Sequence, residues 1–301
     1  MYYMDEDGYG MTDDEEVEIY GFIDRNGKVL VKFRHINKDW ELLKAMRKEA
    51  EIKVLHQSTK KLTTMEKNEK KITKTKVFNV IILDKSGSME CIRQAAIDGF
   101  NETLNGIKKA QEKFADTQEH YVSLVAFCAC EMKQIFDKVP VTEAKPLTAD
   151  DYQPCCCTPL YDAMGFTLNG MRKHVKAIDD AVVVVTIITD GLENASKEYN
   201  GKSIKELVEQ LKGEGWTFTY MGANQDALEV AERMSIRNSR NFDYSNEGTR
   251  ASMAKDSSTR MNFFSRLARF KESEGPDMNC AERHMCYSAM ADEAFDEEES
   301  K

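Results

Sequence analysis

The sequence has no apolar run long enough to cross a bilayer, for which roughly 20 residues are needed. Its longest apolar runs, at 77–83 and 181–188, have the length of strands. The first ten residues contain neither the basic nor the apolar part of a secretory signal. Eight cysteines among 301 residues are too few for a disulfide-built scaffold. These absences argue against a membrane-spanning or small disulfide-rich protein, and we expect reduced thiols and a cytoplasmic location.

Basic charge does not dominate either. The net charge of −10 argues against a nucleic-acid-binding protein that relies on bulk positive charge. Residues 1–18 contain eight acids and no base, and residues 291–301 contain six acids and one base. Subtracting the net charges of these ends, −8 and −5, from the total leaves +3 for the residues between them. The acidity therefore belongs to the ends of the chain rather than to its body.

Composition and hydrophobic periodicity divide the chain into six parts. In order, we predict a disordered acidic segment (1–16), a β-hairpin and helix (17–57), a Lys-rich linker (58–76), an α/β domain (77–247), a basic helix (248–271) and an acidic tail (272–301). The hairpin strands, at 17–24 and 28–35, flank an Asn-Gly pair that favours a tight turn. The helix of this region is predicted at 37–56.

Strands and helices alternate between residues 77 and 247. The predicted strands are at 77–83, 121–128, 132–136, 182–189, 216–221 and 241–244, with helices that begin near residues 92, 160, 203 and 225. This alternation predicts a mainly parallel sheet covered by helices on both faces. The run 182–189 is the most strongly β-branched and is predicted to be central. Ser203 and Glu206 have the spacing of a capping box, with Ser203 as the N-cap.

Polar side chains lie in three segments at the ends of predicted elements. Asp84-Lys85-Ser86-Gly87-Ser88 follows the first buried strand, Thr158-Pro159-Leu160-Tyr161-Asp162 opens a helix, and Thr189-Asp190-Gly191 ends the Val-rich strand. Ligands of an open parallel α/β sheet bind beyond the carboxyl ends of its strands, where Asp84 and Asp190 are expected. Alternation along an extended turn lets Asp84, Ser86 and Ser88 point the same way. We therefore expect the three segments to form one site.

The oxygen atoms of these segments suit a hard divalent cation. Mg²⁺ prefers about six oxygen ligands and usually keeps several waters. The predicted ligands are Asp84, Ser86, Ser88, Thr158 and Asp190. They supply at most two negative charges, so an open position should remain for water or for an acidic group of a partner. Taken singly, each also fits an ordinary turn or helix cap, such as Thr158 at the N-cap with Pro159 at N1. Their combination favours the metal site.

DKSGS, TPLYDA and TDG, in this order on a βα frame, resemble the von Willebrand factor type A (VWA) domain with its metal-ion-dependent adhesion site (MIDAS), of the intracellular bacterial or phage type. The resemblance covers residues 77–247. It implies a Rossmann-like three-layer α/β/α fold whose central sheet is mostly parallel with one antiparallel edge strand. It also implies that Asp84, Ser86, Ser88 and Thr158 bind Mg²⁺, with Mn²⁺ or Ca²⁺ as alternatives. Asp190 would bind the metal directly or through water.

One departure from that family is Cys155-Cys156-Cys157, where intracellular relatives commonly have glycines before the Thr-Pro pair. The bulkier residues leave the geometry of Thr158 the least constrained of the site. Three consecutive side chains diverge, so they are not expected to face one metal together. Cys128 and Cys130 could approach this loop, which leaves a thiolate zinc site and buried free cysteines as alternatives. A second set of soft ligands, Cys280, His284 and Cys286, falls in the predicted tail.

The usual role implied by the resemblance is protein binding rather than catalysis. The bound cation would accept an Asp or Glu side chain from a partner protein, and helices that begin after Ser88 and at Thr158 would direct their positive ends at that anion. The sequence contains no GxGxxG and no recognisable Ser-His-Asp or Cys-His motif, and neither a membrane nor nucleic acid is predicted as a partner. Asp162 and Glu193 are expected to be a helix-start acid and a surface acid.

Other functions stay open at this point. The chain could be a non-catalytic recruiting subunit of an ATP-driven complex such as a metal chelatase. It could also be a Mg²⁺-dependent phosphohydrolase, although a Ser occupies position 86, where a second Asp would be wanted. The acidic ends could fold back on the basic stretches at 36–76 and 249–271 and offer a carboxylate to the metal, or they could simply aid solubility.

Overall fold

The computed structural model describes residues 19–23, 29–35, 48, 73–223, 226–242, 245–273 and 278–299. The chain divides into two compact units, Met1–Lys71 and Ile72–Lys301. In the first unit, strands β1 (Ile19–Ile23) and β2 (Val29–His35) pair antiparallel and coincide with the predicted strands within two residues. Four of the predicted segments lie outside the described residues. They are the acidic segment 1–16, the turn at 25–27, the linker before residue 73, and the helix at 37–56 apart from Lys48.

The second unit is built on a six-stranded sheet. Its strands are β3 (Thr75–Asp84), β4 (Gln118–Phe127), β5 (Met132–Pro140), β6 (Ala181–Thr189), β7 (Thr217–Gly222) and β8 (Asn238–Asn241), in the spatial order β5-β4-β3-β6-β7-β8. Every neighbouring pair is parallel except β4 and β5, which form an antiparallel hairpin at one edge. The β-branched strand β6 is central, and every residue of it after Ala181 is buried. The predicted α/β fold class is confirmed.

Helices cover both faces of this sheet. They are α1 (Arg93–Lys113), α2 (Leu160–Val175), α3 (Gly201–Gly213), α4 (Asp226–Arg233), α5 (Asn246–Ser273) and α6 (Cys280–Glu299). Successive residues of β3 face opposite layers, because side chains alternate along a strand. Phe78 and Ile82 pack in the core formed with α2, α3 and α4, whereas Val77 and Ile81 pack on the side of α1, α5 and α6. The unit therefore has the predicted three layers.

A buried polar contact joins α5 to the two central strands. The guanidinium of Arg260 donates a hydrogen bond to Asn79 Oδ1 at 3.1 Å and another to the hydroxyl of Thr186. It also pairs with Asp256 one turn earlier in α5, with 2.7 Å between Nε and Oδ2. Both charged side chains are almost fully buried. A buried charge without partners is costly, so this network favours a single docked position for α5.

Residues 280–299 form a helix where the sequence predicts only an acidic tail. Tyr287, Ala291, Ala294 and Phe295 are buried and follow helical spacing, which gives α6 an apolar face. Its acidic face meets the basic helix α5: Arg266 pairs with Glu293 and Glu297, each at 2.5 Å. The tail prediction is therefore wrong for this segment, because the density of acids hides the apolar stripe.

Two further predictions need correction. The N-cap of α3 is Asn200 rather than Ser203: Asn200 Oδ1 accepts from Ser203 N at 3.0 Å, and Ser203 Oγ accepts from Asn200 N at 3.0 Å. The extended backbone of Asn200 and its short side chain suit the cap position, so Ser203 becomes the third helical residue. The last strand is at 238–241, three residues earlier than predicted, because this polar edge strand has no apolar alternation. Among the described residues, no helix is long and apolar enough to span a membrane.

Candidate metal centre

The two predicted carboxylates lie at the same edge of the sheet. Strands β3 and β6 are parallel neighbours whose register pairs Leu83 with Ile188. Asp84 ends β3, and Asp190 directly follows the last residue of β6. Because the carboxyl ends of parallel strands meet at one edge, both acids face the crevice in which α/β sheets bind ligands.

Asp84 is fully buried and firmly oriented. Its Oδ1 accepts a hydrogen bond from the backbone N–H of Ser86 at 2.7 Å, and its Oδ2 accepts one from the Thr189 hydroxyl at 2.6 Å. Its backbone carbonyl accepts from the buried Tyr152 hydroxyl at 2.6 Å. Burial raises the pKa of the Asp84 carboxyl to about 6; the charge of Asp190 adds to the increase, while the hydrogen bonds from Thr189 and Ser86 oppose it. A cation at this edge would relieve the unfavourable burial of this carboxylate.

The two serines connect Asp84 to Asp190. Ser86 Oγ and Ser88 Oγ lie 3.1 Å apart, and the Ser88 hydroxyl donates to Asp190 Oδ1 at 2.8 Å. The chain continues into a 3₁₀ turn (Gly87–Ile92) and then α1. The Ser88 hydroxyl can donate its proton to Asp190 and still offer an oxygen lone pair to a metal ion. This geometry therefore suits an Asp190 that orients Ser88 as a ligand, as well as an Asp190 that binds the metal directly.

Gly191, in the third segment, lies close to oxygen atoms of the other two segments. A Cβ atom placed on Gly191 would lie 3.0 Å from Thr158 Oγ1, 3.7 Å from Asp84 Oδ2 and 3.8 Å from Ser88 Oγ. The Asp84–Ser88 and Thr158 segments therefore place three oxygen atoms around one point that Gly191, in the third segment, leaves open by its lack of a side chain. The structure brings together the five predicted residues. Every metal ligand atom that their side chains offer is a hard oxygen of the kind that Mg²⁺ prefers.

The loop that carries Thr158 is held in place despite its three cysteines. Thr158 N donates to Asn194 Oδ1 at 2.9 Å, and the carbonyl of Thr158 accepts from Asn194 N at 3.1 Å. Backbone hydrogen bonds also join Gly87 N to the Cys156 carbonyl at 3.0 Å and Cys155 N to the Lys85 carbonyl at 2.8 Å. The cysteine loop is thus tied directly to the Asp84–Ser88 segment, and Thr158 has a defined position.

The helix starts near the site differ in detail from those that the sequence predicts. Helix α1 begins only at Arg93, and Pro159 rather than Thr158 occupies the N-cap position of α2. Glu193 is not an ordinary surface acid, because its Oε2 accepts from Tyr161 N at 2.9 Å in the first turn of α2. Asp162 N donates to Ser196 Oγ at 3.0 Å. Two N–H groups at the start of α2 are therefore already bonded to side chains of this chain and are not free to bind an incoming anion.

Sequence reasoning missed the residues that orient the ligands. Thr189 fixes one oxygen of Asp84, and Asn194 holds the backbone of Thr158. Asp162 does lie in the first turn of α2, as predicted, and its carboxylate accepts from the N–H groups of 197–199. Thr189 ends the strand next to the one that Asp84 ends, and this position could have identified it. Recognising the position requires the register between β3 and β6, which the sequence alone does not provide.

The expectation that all thiols are reduced is not met. Cys130 and Cys156 form a disulfide, and the six other cysteines are free. Cys280 Sγ lies 3.5 Å from His284 Nε2, but within the described residues these two do not belong to a cluster of three or more His, Cys, Asp or Glu ligand atoms. The alternative of a soft-metal site at 280–286 therefore gains no support.

The arrangement of the sheet and its covering helices is the one that the sequence resemblance implies, a fold of the VWA type. No family model matches the chain, and no curated protein matches it.

Solved structures of low identity do match. The pilus adhesin SpaC from Lactobacillus rhamnosus GG, in its open conformation, is 13% identical with a TM-score of 0.44 over 64% of this chain and 31% of that chain. The manganese-loaded TRAP protein of Plasmodium vivax is 17% identical with a TM-score of 0.41 over 61% and 73% of the two chains. Proximal thread matrix protein 1 from the mussel byssus, with a zinc-occupied MIDAS motif, is 14% identical with a TM-score of 0.41 over 62% and 46%. The match thus spans less than a third of the SpaC chain.

Proposed function

We propose that this chain is a cytoplasmic, non-enzymatic protein-binding module whose metal ion accepts a carboxylate from a partner protein. Asp84, Ser86, Ser88 and Thr158 would hold Mg²⁺, and Asp190 would bind it directly or through water. The observation that carries the proposal is the convergence of oxygen atoms from the Asp84–Ser88 and Thr158 segments on the space beside Gly191 of the third segment.

The donor set explains why an acidic partner group would bind. Three of the proposed ligands are neutral hydroxyls, so the cation would keep much of its positive charge and attract a carboxylate. Next to the site in the sequence, the side chain of Leu192 is 52% exposed and is accessible to a partner. A partner that places an Asp or Glu beside an apolar residue would fit both features.

The acidic C-terminal segment is not a convincing competitor for this site. Helix α6 packs with Val77 and Val182, near the amino ends of the central strands, whereas the proposed metal ligands lie at their carboxyl ends. Glu293 and Glu297 are paired with Arg266. The proposal therefore assigns the incoming carboxylate to a partner rather than to residues 280–299.

The metal assignment is tested by calorimetry with Mg²⁺ on the wild-type chain, on Asp84→Ala and on Asp116→Ala. Asp116 is an exposed acid just before β4, at the opposite edge of the sheet, and serves as the matched control. We expect one site per chain, lost in Asp84→Ala with the fold retained, and unchanged in Asp116→Ala. Unaltered Mg²⁺ affinity in Asp84→Ala would overturn the assignment.

Partner binding is tested separately, by pull-down with Mg²⁺, with a chelator and with Asp84→Ala. The proposal requires a partner that is retained only by the wild-type chain with metal. A partner bound equally under all three conditions would show that binding does not use the metal.

A further inference from the structure

Four cysteines meet at one corner beside the oxygen site. Cys128 and Cys130 lie on the turn between β4 and β5, and Cys155 and Cys156 lie on the loop that precedes Thr158. The sulfur atoms of Cys128 and Cys155 are 3.1 Å apart, and those of Cys128, Cys130 and Cys155 all lie within 4.8 Å of one another. Cys156 is joined to Cys130 by the disulfide.

The backbone brings these sulfurs together in two ways. The β4–β5 turn is closed by a hydrogen bond from Cys128 N to the Glu131 carbonyl at 2.9 Å and by its reciprocal at 3.2 Å. In the other loop, Cys156 has a φ of 60°, a conformation that few residues other than glycine adopt. This left-handed residue turns the chain so that two consecutive cysteines, Cys155 and Cys156, reach the same corner. Such strain persists where the surroundings hold it and is common at functional sites.

We propose that in the reduced chain these four cysteines form a thiolate site for one soft divalent cation, Zn²⁺. Reduction of the Cys130–Cys156 disulfide by a dithiol takes two electrons and two protons and yields two thiols, while the dithiol becomes a disulfide. The four cysteine thiols then release their protons as they bind the cation. Zn²⁺ favours four sulfur ligands in a tetrahedral arrangement, which two pairs from facing loops can supply.

The surroundings suit such a site. Cys128 is buried, Cys155 is partly buried, and Cys130 and Cys156 are exposed, so a cation has an entry path. A four-thiolate zinc site carries a net charge of −2, and the buried ammonium of Lys85, which pairs with Glu131 in the same turn, lies on the adjoining segment. The Lys85 carbonyl also accepts from Cys155 N at 2.8 Å, which ties this corner to the segment that carries Asp84.

The test uses the full chain, reduced with a dithiol, freed of reagent without oxygen, and titrated with Co²⁺ as a spectroscopic substitute for Zn²⁺. We expect one equivalent to produce a thiolate-to-cobalt charge-transfer band and tetrahedral d–d bands, both abolished by Zn²⁺ and unaffected by excess Mg²⁺. Asp84→Ala should leave these bands intact, which separates this site from the oxygen site. Absence of the bands in the reduced wild-type chain would overturn the proposal.

Variants identify the ligands. Cys155→Ser and Cys130→Ser should each lose the tetrathiolate spectrum and weaken binding at least tenfold; neither side chain is fully buried, so folding should survive and can be checked by circular dichroism. Cys157→Ser and Cys91→Ser are matched controls, because both residues are free and exposed outside the cluster. An unchanged spectrum in Cys155→Ser and Cys130→Ser would also overturn the proposal.

Discussion

Replacing Gly191 by alanine tests whether a cation sits between the three polar segments. A Cβ at this position would lie 3.0 Å from Thr158 Oγ1, closer than ordinary van der Waals contact, and would also reach Asp84 Oδ2 and Ser88 Oγ at 3.7 and 3.8 Å. The φ of Gly191 is not in the left-handed region, so alanine fits the backbone. The substitution therefore adds one methyl group to the proposed metal space without straining the chain.

The size of the effect follows from this contact. Thr158 Oγ1 must shift by a few tenths of an ångström to admit the methyl group. Metal–ligand distances tolerate only about 0.2 Å, so Thr158 would be drawn out of position. Disturbing groups that position metal ligands typically costs about 10- to 100-fold in affinity. We expect a loss of this size for Mg²⁺, equivalent to about 1.4–2.8 kcal/mol.

Calorimetric titration with Mg²⁺ measures the affinity, and urea denaturation without metal measures the free energy of unfolding. Gly170→Ala is the matched control, since a Cβ at this position in α2 meets nothing within 4 Å. It should stabilise the fold by about 0.5–1 kcal/mol and leave Mg²⁺ binding unchanged. If Gly191→Ala binds Mg²⁺ as tightly as the wild-type chain, the cation does not occupy the space we assign to it.

Three other predictions concern the supporting fold. Asn200→Ala removes the N-cap of α3 and should lower the free energy of unfolding by about 1 kcal/mol in urea; no loss would contradict the cap assignment. Tyr287→Phe removes the 2.8 Å hydrogen bond to buried Asp180 and should cost about 1.5–3 kcal/mol, whereas an undocked α6 would show no effect. Burial lowers the pKa of His120 to about 3, so below pH 6.5 the unfolded chain takes up a proton that the folded chain does not. Between about pH 6.5 and 3, this residue should therefore lower the stability by up to about 1.4 kcal/mol per pH unit as the pH falls; His120→Gln should flatten that slope, and equal slopes would refute the assignment.

Most of the sheet could be predicted because its central strands are buried on both faces. The runs at 77–83 and 182–189 are apolar enough to indicate strands without structural information, and the sequence of α2 repeats Leu and Met at helical spacing, at positions 160, 164, 168 and 171. The edge strand β8 and helix α6 could not be placed in this way. The first is polar and pairs on one side only, and the second has no Leu, Ile or Val and concentrates its acids at residues 292–299.

The five residues of the candidate site were predicted because each stands at the end of an element. Their supports depend on distances across the fold that no local pattern contains. Glu193 accepts a hydrogen bond from the N–H of Tyr161, 32 residues earlier, and Cys130 is bonded to Cys156 across 26 residues. The spacing of the cysteines alone allows many pairings, so the disulfide could not be derived from it.

The contact between Arg260 and Asn79 has a consequence for biosynthesis. These residues are 181 positions apart in the chain, yet their side chains bond in the core. At synthesis rates of roughly 5–20 residues per second, β3 is made about 10–40 s before the arginine that completes its polar interactions. Until Arg260 has been made, water must bond to Asn79 Oδ1 and, once it has been synthesised, to the Thr186 hydroxyl. The face of the sheet that α5 covers can therefore be completed only after α5 has been synthesised, and that face is open to misassembly until then.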